Sequence, residues 1–338
     1  MNWFTWEQHK KWFLIAGICL ALFGALLIPT GISFWHIYQQ ARATCGQTNT
    51  CSQLSANLLQ SGTDQLLLTD IVPDTILFLP ILFGIFWGVP LIAKEYAEGT
   101  NLLVWTRSVS RRRWLTMKLI WILVATAVFS AAFAALVTWW SKTPNALNLN
   151  RFETPYFSIQ GIVPVAYSVF AVALGIMFGA WFKRLVPALG ATLVLLIVVV
   201  LIVVPNFVRP HYMTPLTVTA PMNQNALNAK IPSGAWVLSH NSAENNDGRV
   251  FSDFEYPDFP PQCQALVRQE AQQAQVVGAK IGSATITDCL NTAGFHSFAK
   301  YQPADRYWEF QAIEAGLYLA LSAIPIGATY WLVLKRDA

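Results

Sequence analysis

Charged residues are scarce in this chain. They make up 12% of its 338 residues, about half of the roughly 25% that is usual for soluble domains. Hydrophobic residues reach 54%, and the mean hydropathy is +0.42. The net charge of +4 is small, and the basic residues of the chain lie near the ends of apolar segments. We therefore predict no nucleic-acid partner. The composition excludes an ordinary soluble domain and indicates a protein whose solvent is largely lipid.

The sequence also lacks the motifs of common catalytic and nucleotide-binding sites. It contains no HExxH, GxSxG or CxxC and no GxxxxGK[ST] phosphate loop, so neither a zinc protease site nor the glycine-rich cradle for ATP is present. His211, His240 and His296 are widely separated and do not have the spacing of metal ligands. We predict no catalytic residue, no metal site and no cofactor bound by this chain.

Long apolar runs are what the sequence does have. A bilayer core about 30 Å thick requires roughly 20 apolar residues in helical conformation. Six segments meet this requirement: residues 12–37, 72–93, 114–140, 161–182, 186–208 and 310–334. We therefore predict an all-α membrane protein with six transmembrane helices.

Basic residues are distributed unequally between the two ends of these helices. The segments at one end, including 94–113, are rich in lysine and arginine. The short loops at the other end hold only three basic residues, Arg42, Lys142 and Arg151. Because cytoplasmic loops carry the excess of positive charge, the predicted topology is a multi-pass cell-membrane protein with both termini in the cytoplasm. Segments 38–71, 141–160 and 209–308 are then outside.

The five cysteine residues form two pairs and one single residue. Cys45 and Cys51 share one predicted outer loop, Cys263 and Cys289 share the other, and Cys19 lies in the first helix. Even numbers of cysteine in outer segments are typical of disulfides in an oxidising compartment. We predict the disulfides Cys45–Cys51 and Cys263–Cys289. A metal site is the weaker alternative, because no histidine has suitable spacing.

The chain divides into four parts. Residues 1–11 mix aromatic with charged side chains, which is typical of an amphipathic helix at the membrane interface. Residues 12–208 hold the first five transmembrane helices, and residues 309–338 hold the sixth with a short cytoplasmic tail. Residues 209–308 are polar, so we predict a small extracellular domain, tied by a disulfide and made of loops and short helices. Apolar residues at helical spacing predict one amphipathic helix over 261–277.

Three charged residues lie inside the predicted helices. Asp74, Lys118 and Glu314 are each within about two turns of a helix end, where a long side chain can reach the interface. We therefore expect these residues to be exposed, and no charge to lie at mid-bilayer. A route without central charges fits an amphipathic or lipophilic substrate.

Gly175 and Gly179 form a GxxxG pattern in the fourth helix. This spacing lets two helix backbones approach closely. We assign both residues to helix packing, either within the chain or in a dimer.

The polar segment 94–113, KEYAEGTNLLVWTRSVSRRR, connects the second and third helices. One interpretation is a basic connector that only sets the topology. The other is a coupling helix that docks on a soluble partner through an apolar face flanked by charge. In that interpretation the residues of the coupling surface are Glu95, Glu98, Gly99, Thr100, Trp105, Arg107, Ser110 and Arg111.

This segment and three others resemble a known family. FWGVPLIAKEYAEGTNLLVWTRSVSRRRWLTMKL is similar to the region between the second and third helices of type-2 ABC exporter permeases (ABC-2 permeases). There an E-x-x-x-G-T turn precedes a serine–arginine step and a lysine. The matching positions here are Glu95, Gly99, Thr100, Ser110, Arg111 and Lys118. TWEQHKKW, FGAWFKRLVPALGATL and YQPADRYWEFQAIE resemble actinobacterial-type permeases of this family.

The resemblance implies a transport subunit of an ABC exporter that is not itself an enzyme. Besides membrane lipid, its expected partners are a second permease copy, in a homodimer or with a different permease, and two copies of a separate ABC ATPase that bind ATP and Mg²⁺. Closure of the ATPases would push on residues 95–113 and drive alternating access. A membrane sensor or immunity-type protein, which binds an extracellular ligand without transport, is the alternative.

Overall fold

The structure, a computed structural model, divides into two compact units. One unit comprises Met1–Tyr212 with Trp308–Ala338, and the other comprises Met213–Tyr307. The residues that the structure describes are 2–45, 72–99, 110–142, 151–152, 154–222, 224–244, 250–251, 259–277 and 284–336.

Within the part of the chain that the structure describes, six helical segments are long and apolar enough to cross a membrane, and all but the first residues of the sixth belong to the first unit. In chain order these segments, called spans 1 to 6, are Leu14–Ser33, Thr75–Ala97, Arg111–Trp140, Val163–Phe182, Leu185–His211 and Ala304–Lys335. Each overlaps one of the six predicted helices. The predicted number and order of spans therefore agree with the structure.

The helices that build the spans have bounds slightly different from those predicted. The α-helices are Asn2–Cys45, Val72–Phe83, Val89–Ala97, Arg111–Trp140, Val163–Phe182, Leu185–Leu196 and Tyr307–Trp331, with a short helix Tyr156–Ile159 before span 4. Wider π-helical turns cover Gly84–Gly88, Ile197–Val208 and Leu332–Arg336, and 3₁₀ turns cover Arg209–His211 and Ala304–Arg306.

Residues 2–11 continue directly into span 1. The structure has one helix from Asn2 to Cys45, whereas we expected a separate interfacial helix over 1–11. The physical reason is local, because no glycine or proline precedes Gly17 and nothing in this stretch breaks the helix.

Proline explains two of the π-helical turns. Pro90 follows the π-turn Gly84–Gly88 in span 2, and Pro205 lies inside Ile197–Val208 in span 5. A proline ring clashes with the carbonyl four residues earlier and donates no hydrogen bond. Those carbonyls belong to Phe86 and Leu201, both within the widened turns. The wider turn accommodates the ring without ending either span.

Span 4 is the most buried of the six and crosses span 2 at glycine residues of both helices. A Cβ atom added to Gly88 would lie 2.6 Å from the carbonyl oxygen of Val172, and one added to Gly179 would lie 2.7 Å from that of Val89. A Cβ on Gly175 would overlap the carbonyl oxygen of Gly84. The GxxxG pair therefore packs against span 2 of the same chain, with the two backbones in contact.

The second unit contains a four-stranded antiparallel sheet. Its strands are β1 (Leu216–Pro221), β2 (Trp236–Glu244), β3 (Val250–Phe251) and β4 (His296–Gln302), in the order β1-β4-β2-β3. The prediction of an all-α fold is therefore wrong for this unit, where we expected loops and short helices. Alternation in β1, whose Leu216, Val218 and Ala220 are separated by threonine, is the sequence signal of a strand.

Three helices accompany the sheet: Gln224–Lys230, Pro261–Val277 and Ala284–Thr292. The helix predicted over 261–277 is present. A disulfide joins Cys263 and Cys289, beside a core that includes Val267, Leu290 and Phe295. Cys51 lies outside the described residues, so the pair Cys45–Cys51 stays a prediction.

Candidate functional site

The two ends of the segment 94–113 belong to spans 2 and 3. Residues 94–97 complete span 2 and are followed by a turn at Glu98 and Gly99, whereas Ser110 precedes span 3, which begins at Arg111. Thr100, Trp105 and Arg107 lie outside the described residues.

Backbone geometry fixes where each span stops. Gly99, two residues after the end of span 2, has a φ of +67°. This is a left-handed conformation that favours glycine and ends helices. The N–H of Glu98 donates to the carbonyl of Lys94 at 3.0 Å. Ser110 is the N-cap of span 3, and its Oγ accepts a hydrogen bond from the backbone N–H of Arg113 at 3.4 Å, as capping serines do. The sequence thus encodes a stop and a start on either side of the connector.

Glu95 and Lys118 form a buried ion pair between spans 2 and 3. Only 8% of Glu95 and 5% of Lys118 is exposed. The Nζ of Lys118 also lies 4.7 Å from the ring centroid of Trp114, close enough for a cation–π interaction. The expectation that Lys118 snorkels to the interface is wrong, and the Glu95 carboxylate faces its own chain instead of the surface.

A buried apolar cluster occupies the same stretches of spans 2 and 3. It includes Trp87, Leu91, Ile92, Leu115 and Leu119. In such surroundings an isolated charge is strongly disfavoured, whereas a paired one is tolerated. Each partner therefore offsets the cost of burying the charge of the other.

The neighbouring charges are exposed. Lys94 and Glu98 pair at 3.8 Å across one helical turn, with 67% and 53% of their side chains exposed. Ser110, Arg112 and Arg113 are exposed at the start of span 3. These side chains, with the half-buried Arg111, form the surface that a partner could contact; we call it the charged rim.

Two further contacts join other spans at this end. The Nζ of Lys183, between spans 4 and 5, lies 5.1 Å from the ring centroid of Tyr96. The hydroxyls of Thr116 in span 3 and Tyr330 in span 6 are 2.7 Å apart. We call this end of the first unit the Glu95 end.

A second buried ion pair joins spans 5 and 6 at the opposite end. Arg209 binds Glu314 through two hydrogen bonds, Nε to Oε2 at 2.8 Å and Nη2 to Oε1 at 2.9 Å. Each residue is 1% exposed. Arg209 also donates to Ser158 Oγ at 3.0 Å and to Thr154 Oγ1 at 3.2 Å, and its guanidinium carbon lies 4.1 Å from the ring centroid of Phe157.

Gln311 and Tyr212 extend this network, which we call the Arg209 end. The Oε1 of Gln311 accepts from the N–H groups of Ile162 and Val163, each at 3.1 Å, so it caps the first turn of span 4. Its Nε2 donates to the carbonyl of Phe157 at 2.9 Å. The Tyr212 hydroxyl donates to Glu314 at 3.2 Å. Burial, reinforced by the negative charge of Glu314, raises the pKa of this hydroxyl, so it stays protonated.

The sequence did not predict the Arg209 end. Arg209 lies in the segment 209–308 that we predict to be outside, and Glu314 was expected to be exposed. The available signal was an arginine directly after one apolar run and a glutamate in the first turns of the next. The two residues are 105 positions apart, so nothing in the sequence paired them.

An apolar cavity of about 310 Å³ lies between spans 1, 2 and 3. Six aromatic rings line much of it, and among the described residues that line it none is charged. The lining residues are Ile15, Ala16, Cys19, Leu20, Phe23, Leu82, Phe83, Phe86, Trp87, Phe129 and Phe133. The cavity suits an uncharged, hydrophobic molecule.

The described part of the chain contains no cluster of three or more His, Cys, Asp or Glu residues that could hold a metal ion. The polar clusters at the two ends are ion pairs between spans, and neither presents a nucleophile beside a base. The arrangement is that of a membrane body whose helices are joined at both ends.

One comparison with known proteins identifies a family. The sequence model of the family described as "ABC-2 membrane transporter related" matches residues 17–209, more than half of the chain. That range includes spans 2 to 4, nearly all of spans 1 and 5, and the segment 94–113. No curated protein and no solved structure matches the sequence significantly. The chain is therefore a multi-pass membrane protein that belongs to the ABC-2 membrane transporter related family.

Proposed function

We propose that the chain is the permease subunit of an ATP-driven ABC exporter that moves an amphipathic or lipophilic substrate, such as a drug, antibiotic, peptide or lipid, out of the cell. The observation that carries this proposal is the family match over residues 17–209. The matched range includes a charged rim set between two spans that a buried ion pair joins.

The power source in this proposal is a separate ATPase. The sequence has no phosphate loop of the GxxxxGK[ST] type, so two ATPase subunits carry ATP and Mg²⁺ and dock on the charged rim. The permease works as a homodimer. Glu98, Gly99, Thr100, Trp105, Arg107, Ser110 and Arg111 remain the proposed contact residues, whereas Glu95, being buried, acts from behind the contact.

The proposed orientation places the Glu95 end and both termini in the cytoplasm. Its support is the excess of lysine and arginine at that end. The unit Met213–Tyr307 then lies outside the cell, where an oxidising environment would maintain the disulfide Cys263–Cys289. The likeness to actinobacterial permeases stays a prediction.

The apolar cavity supports the proposed substrate class. Its volume of about 310 Å³ falls at the lower end of the range for small-molecule sites, about 300–1,000 Å³. A lining whose described residues carry no charge favours substrates that present an apolar surface.

The proposal is tested by gentle purification of the tagged chain from its native membrane. We expect a P-loop ATPase to co-purify in equal amount. The double substitution Arg112→Glu/Arg113→Glu should abolish this association, while Lys300→Glu, an exposed position in the second unit, should not affect it. Purification of the intact chain without any ATPase would contradict the proposal. It would favour the alternative function, a membrane sensor or immunity-type protein that binds an extracellular ligand without transport.

A further inference from the structure

Glu95 and Lys118 are buried directly behind the charged rim. Glu95 is one residue from Lys94 and three from Glu98, both of which are exposed. Lys118 lies two turns into span 3, whose first turn carries the exposed Arg112 and Arg113. The ion pair therefore joins the two helix ends that bear the rim.

Stability alone does not explain two charges in this place. A buried apolar cluster in the same stretches of spans 2 and 3 includes Trp87, Leu91 and Leu115. Replacing a buried ion pair by apolar residues of similar volume is often neutral or stabilising. What a buried pair supplies, where its role has been established, is a specific arrangement of the elements it joins.

Lys118 has contacts in both spans. Lys118 contacts Glu95 across the spans and Trp114 one turn earlier in its own helix. The ammonium is thus held between a carboxylate of span 2 and a ring of span 3. This point therefore connects the helix ends that carry the two halves of the charged rim.

We propose that Glu95 and Lys118 are positioning residues, whose ion pair makes the end of span 2 and the first two turns of span 3 move together when a partner pushes on the charged rim. This role rests on the proposed function. It differs from a partner contact, since neither side chain is at the surface.

The test uses the full-length chain in lipid nanodiscs with its co-purified ATPase. Nitroxide labels enter through an unnatural amino acid at Ala97 in span 2 and Ile120 in span 3, two exposed positions outside the charged rim. The variants are Glu95→Gln, Lys118→Met and the exchange Glu95→Lys/Lys118→Glu. Glu309→Ala is the control, because it removes an exposed charge at the opposite end of the first unit.

We expect a narrow distribution of label distances in the wild type, the control and the exchange variant. Each single substitution should broaden it. The fraction of molecules whose label distance changes on addition of ATP should fall roughly tenfold in the single variants, an effect typical of residues that modulate coupling between sites, and should recover in the exchange variant. The ATPase should remain bound throughout.

Two results would overturn the proposal. One is a narrow distance distribution and an unchanged response to ATP in both single variants. The other is an exchange variant that does not recover, including one that fails to accumulate in the membrane. Absence of an ATPase from wild-type preparations would instead refute the proposed function, and the label distances would still decide whether the pair positions the two spans.

Discussion

The two ends of the first unit are joined by different chemistry. At the Arg209 end, a guanidinium binds a carboxylate through two hydrogen bonds and reaches two further hydroxyls. At the Glu95 end, an ammonium contacts one carboxylate. Arginine presents a rigid planar fork that fixes orientation, whereas lysine is a compact point charge on a flexible stem. The first arrangement fixes both distance and angle, and the second fixes mainly distance.

The surroundings reinforce this difference. Gln311 caps span 4 from span 6, and Tyr212 also binds Glu314, so the Arg209 end joins three spans and the connector before span 4. At the Glu95 end, the links from spans 2 and 3 to other spans include the Lys183–Tyr96 and Thr116–Tyr330 contacts. We expect the Arg209 end to hold its arrangement while the Glu95 end moves. The following predictions test that expectation.

Removing the carboxylate at the Arg209 end should have the largest effect. Glu314→Ala leaves Arg209 buried without its main partner, and breaking such a pair destabilises a protein by about 3–5 kcal/mol. The measurement is the free energy of unfolding in detergent by denaturant titration. Glu309→Ala, at an exposed position in the same helix, is the control and should change little. Equal stability of the two variants would remove the Arg209 end as the fixed region.

An exchange of the two basic residue types should separate the ends. Arg209→Lys loses the second hydrogen bond to Glu314 and those to the hydroxyls, and hydrogen bonds to charged groups are worth about 1.5–3 kcal/mol each. Lys118→Arg keeps the charge beside Glu95 and should lower the free energy of unfolding less. If Lys118→Arg proves the more damaging change, the Glu95 end depends on geometry as strictly as the other.

A methyl group at the glycine crossing tests whether spans 2 and 4 are in contact between the ends. Gly175→Ala places a Cβ atom against the carbonyl of Gly84, and overpacking of this kind costs about 1–3 kcal/mol. Gly190→Ala in span 5 meets nothing within 4 Å and serves as the control. Thermal inactivation of the two variants, followed by size-exclusion chromatography, should show loss of the folded form at lower temperature only for Gly175→Ala.

The exposed ion pair should matter least for stability. Lys94→Ala removes a contact of 3.8 Å between mostly exposed side chains, and such pairs contribute about 0.5 kcal/mol or less. The denaturant midpoint should stay close to that of the wild type in low salt and in high salt. A large drop would mean that the charged rim, and not the buried pair behind it, stabilises the Glu95 end.

The sequence predicted the spans because each is a run of about 20 apolar residues, a signal that depends on no distant partner. It did not predict the sheet. Strand β2 pairs with β4 through register shifts at Val237/Ser239 and Ser239/Ser242, and such irregularities interrupt the alternation by which strands are recognised. Short strands and polar residues such as His240 and Asn241 weakened the pattern further.

The site was predictable in residue type but not in arrangement. Glu95, Lys118 and Glu314 are recognisable in the sequence as charged residues in or beside apolar segments. The exposure that we expected of Lys118 and Glu314 was wrong. Pairing decides burial here, and the partners are separated by 23 and 105 positions. The burial of an apolar run can be predicted from the run itself, whereas the burial of a charged side chain can be predicted only once its partner is known.

The glycine crossing determines how span 2 and span 4 can move relative to each other. Where two backbones touch without side chains between them, no layer of atoms is left to compress or reshuffle. The helices can tilt about that contact as about a pivot, but they cannot be driven closer. A force on the part of span 2 on one side of the crossing would then displace the part on the other side, so the helix would act as a lever.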